Sequence, residues 1–310
     1  YAEKSNIRVL CDYYRVSPLY ITLSNHGEVD WMGIFFWTKV NSNIHIFSGG
    51  RFGYAGFFPK NVSCPVSEYL PLIDNWLKRE NISSCSLSFL FTQNEVYDKS
   101  NKDWIIKEID YLVAITAESV INDQLILPGS KKRNILRNLN KAENNQLQFE
   151  MTSAKHALRA WYNNCHLVRI AELSGKKWNY ELLSCLLDEG TGKLALVRSK
   201  YGEVLGGCFV ILSNEILELF MMSTPRKNFN SGVNFFLTKH LYMYAWRKKI
   251  KYVNWQSSNP PKGGLANFKK GFNAQKMSFL LFNKVKDKSI KIKDLIRMYR
   301  DFFVFPINDK

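Results

Sequence analysis

The stretch KLALVRSKYGEVLGGCFVILSNEILELFMMS, residues 193–223, decides how this chain folds. Lys193 to Ser199 has the apolar density of a buried strand, and Tyr201-Gly202-Glu203 supplies a tight turn. Val204 to Leu212 predicts a second strand, Ser213-Asn214 a second turn, and Glu215 to Ser223 a third strand. The pattern is an antiparallel meander. Working outward on the C-terminal side, Gly232 to Lys248 predicts a helix and Tyr252 to Gln256 another strand.

On the N-terminal side, Lys131 to Asn144 predicts a helix whose apolar stripe is Ile135, Leu136, Leu139 and Ala142. Phe149 to Thr152 suits a short strand, and Ala154 to Leu173 and Tyr180 to Leu187 suit helices. Leu127-Pro128-Gly129-Ser130 interrupts regular structure, and composition turns basic directly after it. Further upstream, Val29 to Lys39 and His45 to Ser48 predict strands, and Ser67 caps a helix running to Lys78. Ser84 to Phe91 predicts another strand. Between them, Gly49, Gly50, Gly53 and Gly56 alternate with Phe52, Tyr54, Phe57 and Phe58, a tight aromatic–glycine loop. The expectation is an α/β (α+β) chain with an N-terminal lobe over 1–127 and a C-terminal lobe over 128–285. A basic C-terminal helix or tail over 286–310 follows.

Charge divides along the same line. Residues 1–127 carry 11 Lys+Arg and 14 Asp+Glu, a net of −3. That leaves 32 of the 43 basic and 13 of the 27 acidic residues to 128–310, a net of +19. A basic half of this kind implies an anionic partner: a phosphate-bearing substrate, a nucleic acid or an acidic lipid surface. No apolar run reaches the ~20 residues that span a bilayer, and no basic–apolar–small signal pattern opens the sequence. The chain starts at Tyr1 rather than Met, so a trimmed or tag-derived start is expected. Six scattered cysteines form no CxxC pair, which argues for reduced thiols in the cytoplasm and against a zinc or redox site.

Helical spacing puts Arg133, Arg137 and Lys141 on one face, a geometry able to clamp a pyrophosphate. Arg51 and Tyr54 in the aromatic–glycine loop could hold a sugar or a lipid-linked headgroup. For a deprotonating base, Glu143, Glu218, Asp188 and the five histidines all remain open; His166 and His240 fall in helical segments and suit structural roles.

A meander followed by a helix and a strand is the order of the GNAT acyltransferase core. The basic helix Lys131–Glu143 resembles the one that opens the second lobe of Fem-type peptidoglycan aminoacyltransferases and of FemAB-like acetyltransferases. Gly263-Gly264-Leu265-Ala266-Asn267-Phe268-Lys269-Lys270-Gly271-Phe272 resembles that group's late Gly…Phe-Lys…Gly-Phe motif, and Phe47 to Phe58 is similar to its Gly-rich aromatic segment. The resemblance spans roughly residues 28–285. It implies two tandem GNAT-like lobes with mixed sheets flanked by helices. It implies transfer of an acyl or aminoacyl group to an amine of a nucleotide-linked or lipid-linked envelope saccharide or peptide. It implies no permanently bound cofactor, the donor being an aminoacyl-tRNA, an acyl-CoA or an acyl-carrier protein. By the same resemblance Lys269 takes the position of a lysine that steadies the transition-state oxyanion, with Phe268 beside it, and the basic helix borders the acceptor groove. Two features depart from these patterns. The long helical arm of some members has no counterpart. The stretch Arg226-Lys227-Asn228-Phe229-Asn230-Ser231-Gly232 has basic residues and one glycine where acetyl-CoA-dependent relatives carry a fuller glycine pattern. A cytoplasmic enzyme touching the inner membrane face is therefore expected, through its basic lobe and the basic residues Lys284 to Arg300. The competing expectation is a non-catalytic nucleic-acid-binding or scaffold protein with a basic C-terminal lobe.

Overall fold

The computed structural model describes residues 4–14, 16–25, 28–40, 43–47, 57–59, 66–89, 104–175, 177–213, 215–257 and 263–285. The chain opens with α1 (Lys4–Tyr14), β1 (Ser17–Asn25), β2 (Glu28–Val40), β3 (Asn43–Phe47), β4 (Phe57–Pro59), α2 (Val66–Arg79) and β5 (Ile82–Phe89). Next come β6 (Ile105–Ile115), α3 (Thr116–Ser119), β7 (Val120–Ile121), β8 (Gln124–Leu125), α4 (Gly129–Asn144) and β9 (Gln148–Thr152). Then α5 (Lys155–Trp161), a π-turn (Tyr162–Leu167) and α6 (Val168–Glu172) follow one another directly, before α7 (Tyr180–Asp188). The meander is β10 (Gly192–Arg198), β11 (Val204–Leu212) and β12 (Ile216–Ser223). A 3-10 turn (Arg226–Ser231), α8 (Val233–Arg247), β13 (Tyr252–Ser257), α9 (Gly264–Lys270) and β14 (Gln275–Val285) complete the order.

The chain divides into two compact units, Tyr1–Asp110 with Met277–Lys310, and Tyr111–Lys276. This differs from a division at 127/128. Pro128 breaks no domain: it is the N-cap of α4, its carbonyl accepting from the amides of Lys131 and Lys132, inside the second unit. Likewise residues 277–285 belong with the first unit, because β14 pairs antiparallel with β5 from Leu280↔Phe89 to Val285↔Ser84. The basic tail over 286–310 lies outside the described residues.

In the first unit the strand order is β1-β2-β3-β5-β14, with β4 pairing β2 and β5. The α2 residues Leu70, Ile73 and Leu77 recur at helical spacing and are buried with Trp31, Phe35 and Leu87 in one core.

In the second unit the order is β6-β13-β12-β11-β10-β9. Every pairing is antiparallel except that of β12 with β13. Leu194, Leu196, Phe209 and Leu217 are fully buried, each contributing about 1.5–3 kcal/mol. Leu237, Leu241, Tyr242 and Ala245 on α8 pack on that sheet. Gly207 permits close packing: a Cβ there would lie 2.6 Å from the Ala195 carbonyl oxygen and 2.9 Å from the Trp161 ring.

Two local expectations are corrected. Leu136 is not part of the apolar stripe of α4, being 42% exposed; Asn138 occupies that face, its Nδ2 donating to the Asn134 carbonyl at 2.8 Å. Ala154 to Leu173 is not one regular helix, because the π-turn over Tyr162–Leu167 shifts the face that follows it. Among the described residues no helix is long and apolar enough to cross a membrane.

Candidate active site

β12 and β13 pair at three positions only: Ile216↔Tyr252, Leu217↔Val253 and Glu218↔Asn254. Each strand then bulges. Between Phe209↔Met221 and Ile211↔Glu218, Leu219 and Phe220 oppose Val210 alone. Between Asn254↔Val113 and Ser257↔Tyr111, Trp255 and Gln256 oppose Leu112 alone, with Gln256 at φ +62°. The parallel ladder therefore ends in a fork at Glu218 and Asn254.

Polar side chains converge at that fork. Glu218 is 2% exposed on an otherwise apolar strand. Its carboxylate accepts from Asn254 Nδ2 at 2.8 and 3.1 Å and from Gln256 Nε2 at 2.7 Å. Asn254 Oδ1 accepts from the Gln256 amide at 2.9 Å, so one side chain orients the carboxylate and shapes the bulge. Such satisfaction is required, since a buried charge without hydrogen bonds is strongly disfavoured.

Lys269 reaches the same bulge from α9. It is buried, with Nζ donating to the Trp255 carbonyl at 2.7 Å and the Gln256 carbonyl at 3.5 Å, whereas Lys270 is exposed. A solvated turn lysine is therefore ruled out for Lys269. Burial pulls its ammonium down to about 8, and the Glu218 carboxylate opposes the fall. Burial, then Glu218, pushes the Tyr111 phenol up. Beneath the bulge, Trp255 Nε1 donates to the Tyr242 hydroxyl at 2.8 Å, which donates in turn to the Phe272 carbonyl at 2.8 Å. Phe268 stands edge-on to Trp255 at 5.8 Å and to Phe235 at 5.0 Å, a support for the bulge.

Arg133, Arg137 and Lys141 are all exposed on α4, and Arg137 Nη2 donates to Asn134 Oδ1 at 3.0 Å. The buried side of α4 meets two elements. A Cβ on Gly271 would lie 3.3 Å from Ile135, at the end of α9. A Cβ on Gly232 (φ +83°) would lie 2.3 Å from the Asn138 carbonyl oxygen, and Asn145 Nδ2 donates to the Ser231 carbonyl at 3.3 Å. The basic helix is thus in contact with both the α9 segment that carries Lys269 and the turn that carries Arg226. Arg226 has an exposed side chain, while its amide donates to Glu172 at 2.9 and 3.0 Å. Arg51 and Tyr54 lie outside the described residues.

A second polar pair shows what the fold does not offer. His166 Nδ1 lies 3.0 Å from Ser223 Oγ, and its Nε2 accepts from the Trp178 amide at 3.3 Å. An accepting Nε2 assigns the proton to Nδ1, so this ring donates to Ser223 and cannot deprotonate it. Burial lowers His166 to about 4, keeping it neutral. Among the described residues no group of three or more His, Cys, Asp or Glu could hold a metal ion.

Glu218 is one open choice among many in the sequence, where Asn254 and Gln256 read only as strand residues. The usable signal was a charged or amide residue inside a strand of otherwise buried apolar positions.

No protein-family model and no curated protein matches the sequence. Solved structures do match. FemX aligns with a TM-score of 0.61 at 10% identity, over 95% of this chain and 93% of that chain. L-PGS from Bacillus licheniformis aligns with a TM-score of 0.59 at 12% identity, over 96% and 91%. A tandem GNAT protein from the clavulanic acid biosynthesis pathway aligns with a TM-score of 0.50 at 7% identity, over 92% and 89%. The meander–helix–strand order of β10–β13 and these alignments agree: the chain has the tandem GNAT-like fold.

Proposed function

We propose that the chain is an acyltransferase. It moves an acyl or aminoacyl group onto an amine of a nucleotide-linked or lipid-linked saccharide or peptide of the cell envelope. The observation that carries this reading is the fork, where a buried carboxylate and a buried ammonium approach the same bulge. In the proposed step the amine nitrogen attacks the carbonyl carbon of an ester or thioester. Negative charge gathers on the carbonyl oxygen, then the bond to the donor's oxygen or sulfur breaks and that atom takes up a proton. Glu218 receives the proton that the nitrogen loses and returns it to the departing oxygen or sulfur, so that the carboxylate is regenerated. Lys269 supplies positive charge toward the oxyanion and holds the Trp255–Gln256 bulge through its two carbonyl bonds.

Arg133, Arg137, Lys141 and Arg226 are proposed to take the acceptor's phosphates, where Arg offers paired donors. Arg51 and Tyr54 are proposed as headgroup contacts on sequence grounds, and Phe268 as the apolar support of the Trp255–Gln256 bulge. The donor class is an aminoacyl-tRNA, acyl-CoA or acyl-carrier protein, acting in the cytoplasm.

The test has two stages. Mass spectrometry of envelope polysaccharide and peptidoglycan from a deletion strain names the missing modification. Purified protein is then assayed with that acceptor. Lys269→Ala is expected to slow turnover by roughly 100-fold, the loss typical of one oxyanion donor. An unaltered envelope in the deletion strain, or a folded Lys269→Ala protein of full activity, overturns the reading.

A further inference from the structure

The helical run from α5 through the π-turn into α6 ends without cover. α5 and the π-turn bury Ala157, Leu158, Trp161, Tyr162, Cys165 and His166. No residue of α6 is buried. Val168 is 40% exposed, and Leu173, directly after the helix, is 57% exposed. The 3-10 turn before α8 presents Phe229, 37% exposed.

Contacts join these two elements into one face. The Glu172 carboxylate accepts from the Arg226 amide and pairs with Arg169 at 2.8 Å. The Arg169 guanidinium lies 4.8 Å from the Phe229 ring centroid. At about 100° per residue, positions 168, 169, 172 and 173 share one side of the helix. Arg226 and Lys227 are exposed on the same turn as Phe229. Glu172 is the acid of the group, and its carboxylate already bonds Arg169 and the Arg226 amide.

We propose that this face of the second unit docks on an anionic lipid surface. Cations at the rim are drawn to anionic headgroups, and aliphatic and aromatic tips at the centre gain by leaving water for the headgroup–acyl boundary. A nucleic acid would satisfy the cations yet leave Val168 and Leu173 hydrated. The inference goes beyond the transfer reaction and does not depend on it, because its assay contains neither donor nor acceptor.

The experiment is co-sedimentation of the full chain with two vesicle types: equal parts phosphatidylglycerol and phosphatidylcholine, and phosphatidylcholine alone. Binding to the mixed vesicles and little to the neutral ones is expected. The double variant Arg226→Ser/Lys227→Ser should partition roughly 25-fold more weakly, about fivefold for each cation. Leu173→Ser should partition roughly fivefold more weakly with its charge unchanged. All three positions are exposed, so an unchanged thermal midpoint verifies folding. Equal binding to both vesicle types overturns the proposal, as does full binding by both variants. Weakening by the double variant with none by Leu173→Ser also overturns it, because that is the purely electrostatic behaviour a nucleic acid would give.

Discussion

Replacing Lys269 by Met keeps the length of the side chain and removes its charge. In the folded protein the ammonium sits at about 8 rather than the ordinary 10.5, with burial as the main cause. That gap is worth about 3 kcal/mol of disfavour for the charged form in the folded state. The sign follows from proton binding: between these values the unfolded chain holds the proton and the folded chain does not. Lysine burial is therefore free of this penalty above the ordinary lysine range, and stability is lost as pH falls through about 8. From pH 10 to pH 7, wild type should lose about 2.5 kcal/mol relative to Lys269→Met. Loss of the bonds to the Trp255 and Gln256 carbonyls adds an offset that varies little with pH. Urea unfolding of the full chain at both pH values, followed by intrinsic fluorescence, measures the difference of differences. Every other titrating group cancels in it. A wild-type-minus-variant gap that stays constant from pH 10 to pH 7 would refute the reasoning, since it would mean the ammonium is well solvated.

Two further outcomes concern Gly232 and His166. Gly232→Ala should cost roughly 2 kcal/mol or more, because its φ of +83° is strained for alanine and its Cβ would meet the Asn138 carbonyl oxygen at 2.3 Å; thermal denaturation reads the loss, and a midpoint equal to wild type contradicts it. His166→Gln should flatten the acid limb of stability. Burial lowers His166 to about 4, so its neutral form's advantage is complete above 6.5 and wild type loses about 3 kcal/mol relative to the variant between pH 7 and pH 4; parallel acid-unfolding curves would rule this out.

Much of the fold could be seen in local pattern. The β10–β12 meander was legible because its strands are mostly apolar and Gly202, at φ +84°, sits in the first turn. Long-range structure was less accessible. The π-turn is invisible to periodicity, since Leu158, Trp161 and Cys165 keep the apolar spacing of a regular helix through it. Leu136 read as core by type, yet it is 42% exposed and Asn138 takes the buried face, its amide satisfied by the Asn134 carbonyl. At the candidate site, the motif pointed to Lys269 but not to its burial, which depends on α9 aiming the side chain at carbonyls of β13. The partnership of Glu218 with Asn254 and Gln256 required the parallel register of two strands separated by α8, and no local rule supplies that register.

The interleaved path of the chain bears on how it is made. The second unit is one unbroken run, Tyr111–Lys276, whereas the first must recruit β14 from residues beyond it to lie beside β5. A ribosome releases residues in order, and domains commonly mature in that order. Here the later-encoded unit has all its parts first. The earlier-encoded one waits with the β5 edge unfilled until the strand after Lys276 emerges, so chaperones would meet the N-terminal segment as a prolonged, unfinished intermediate.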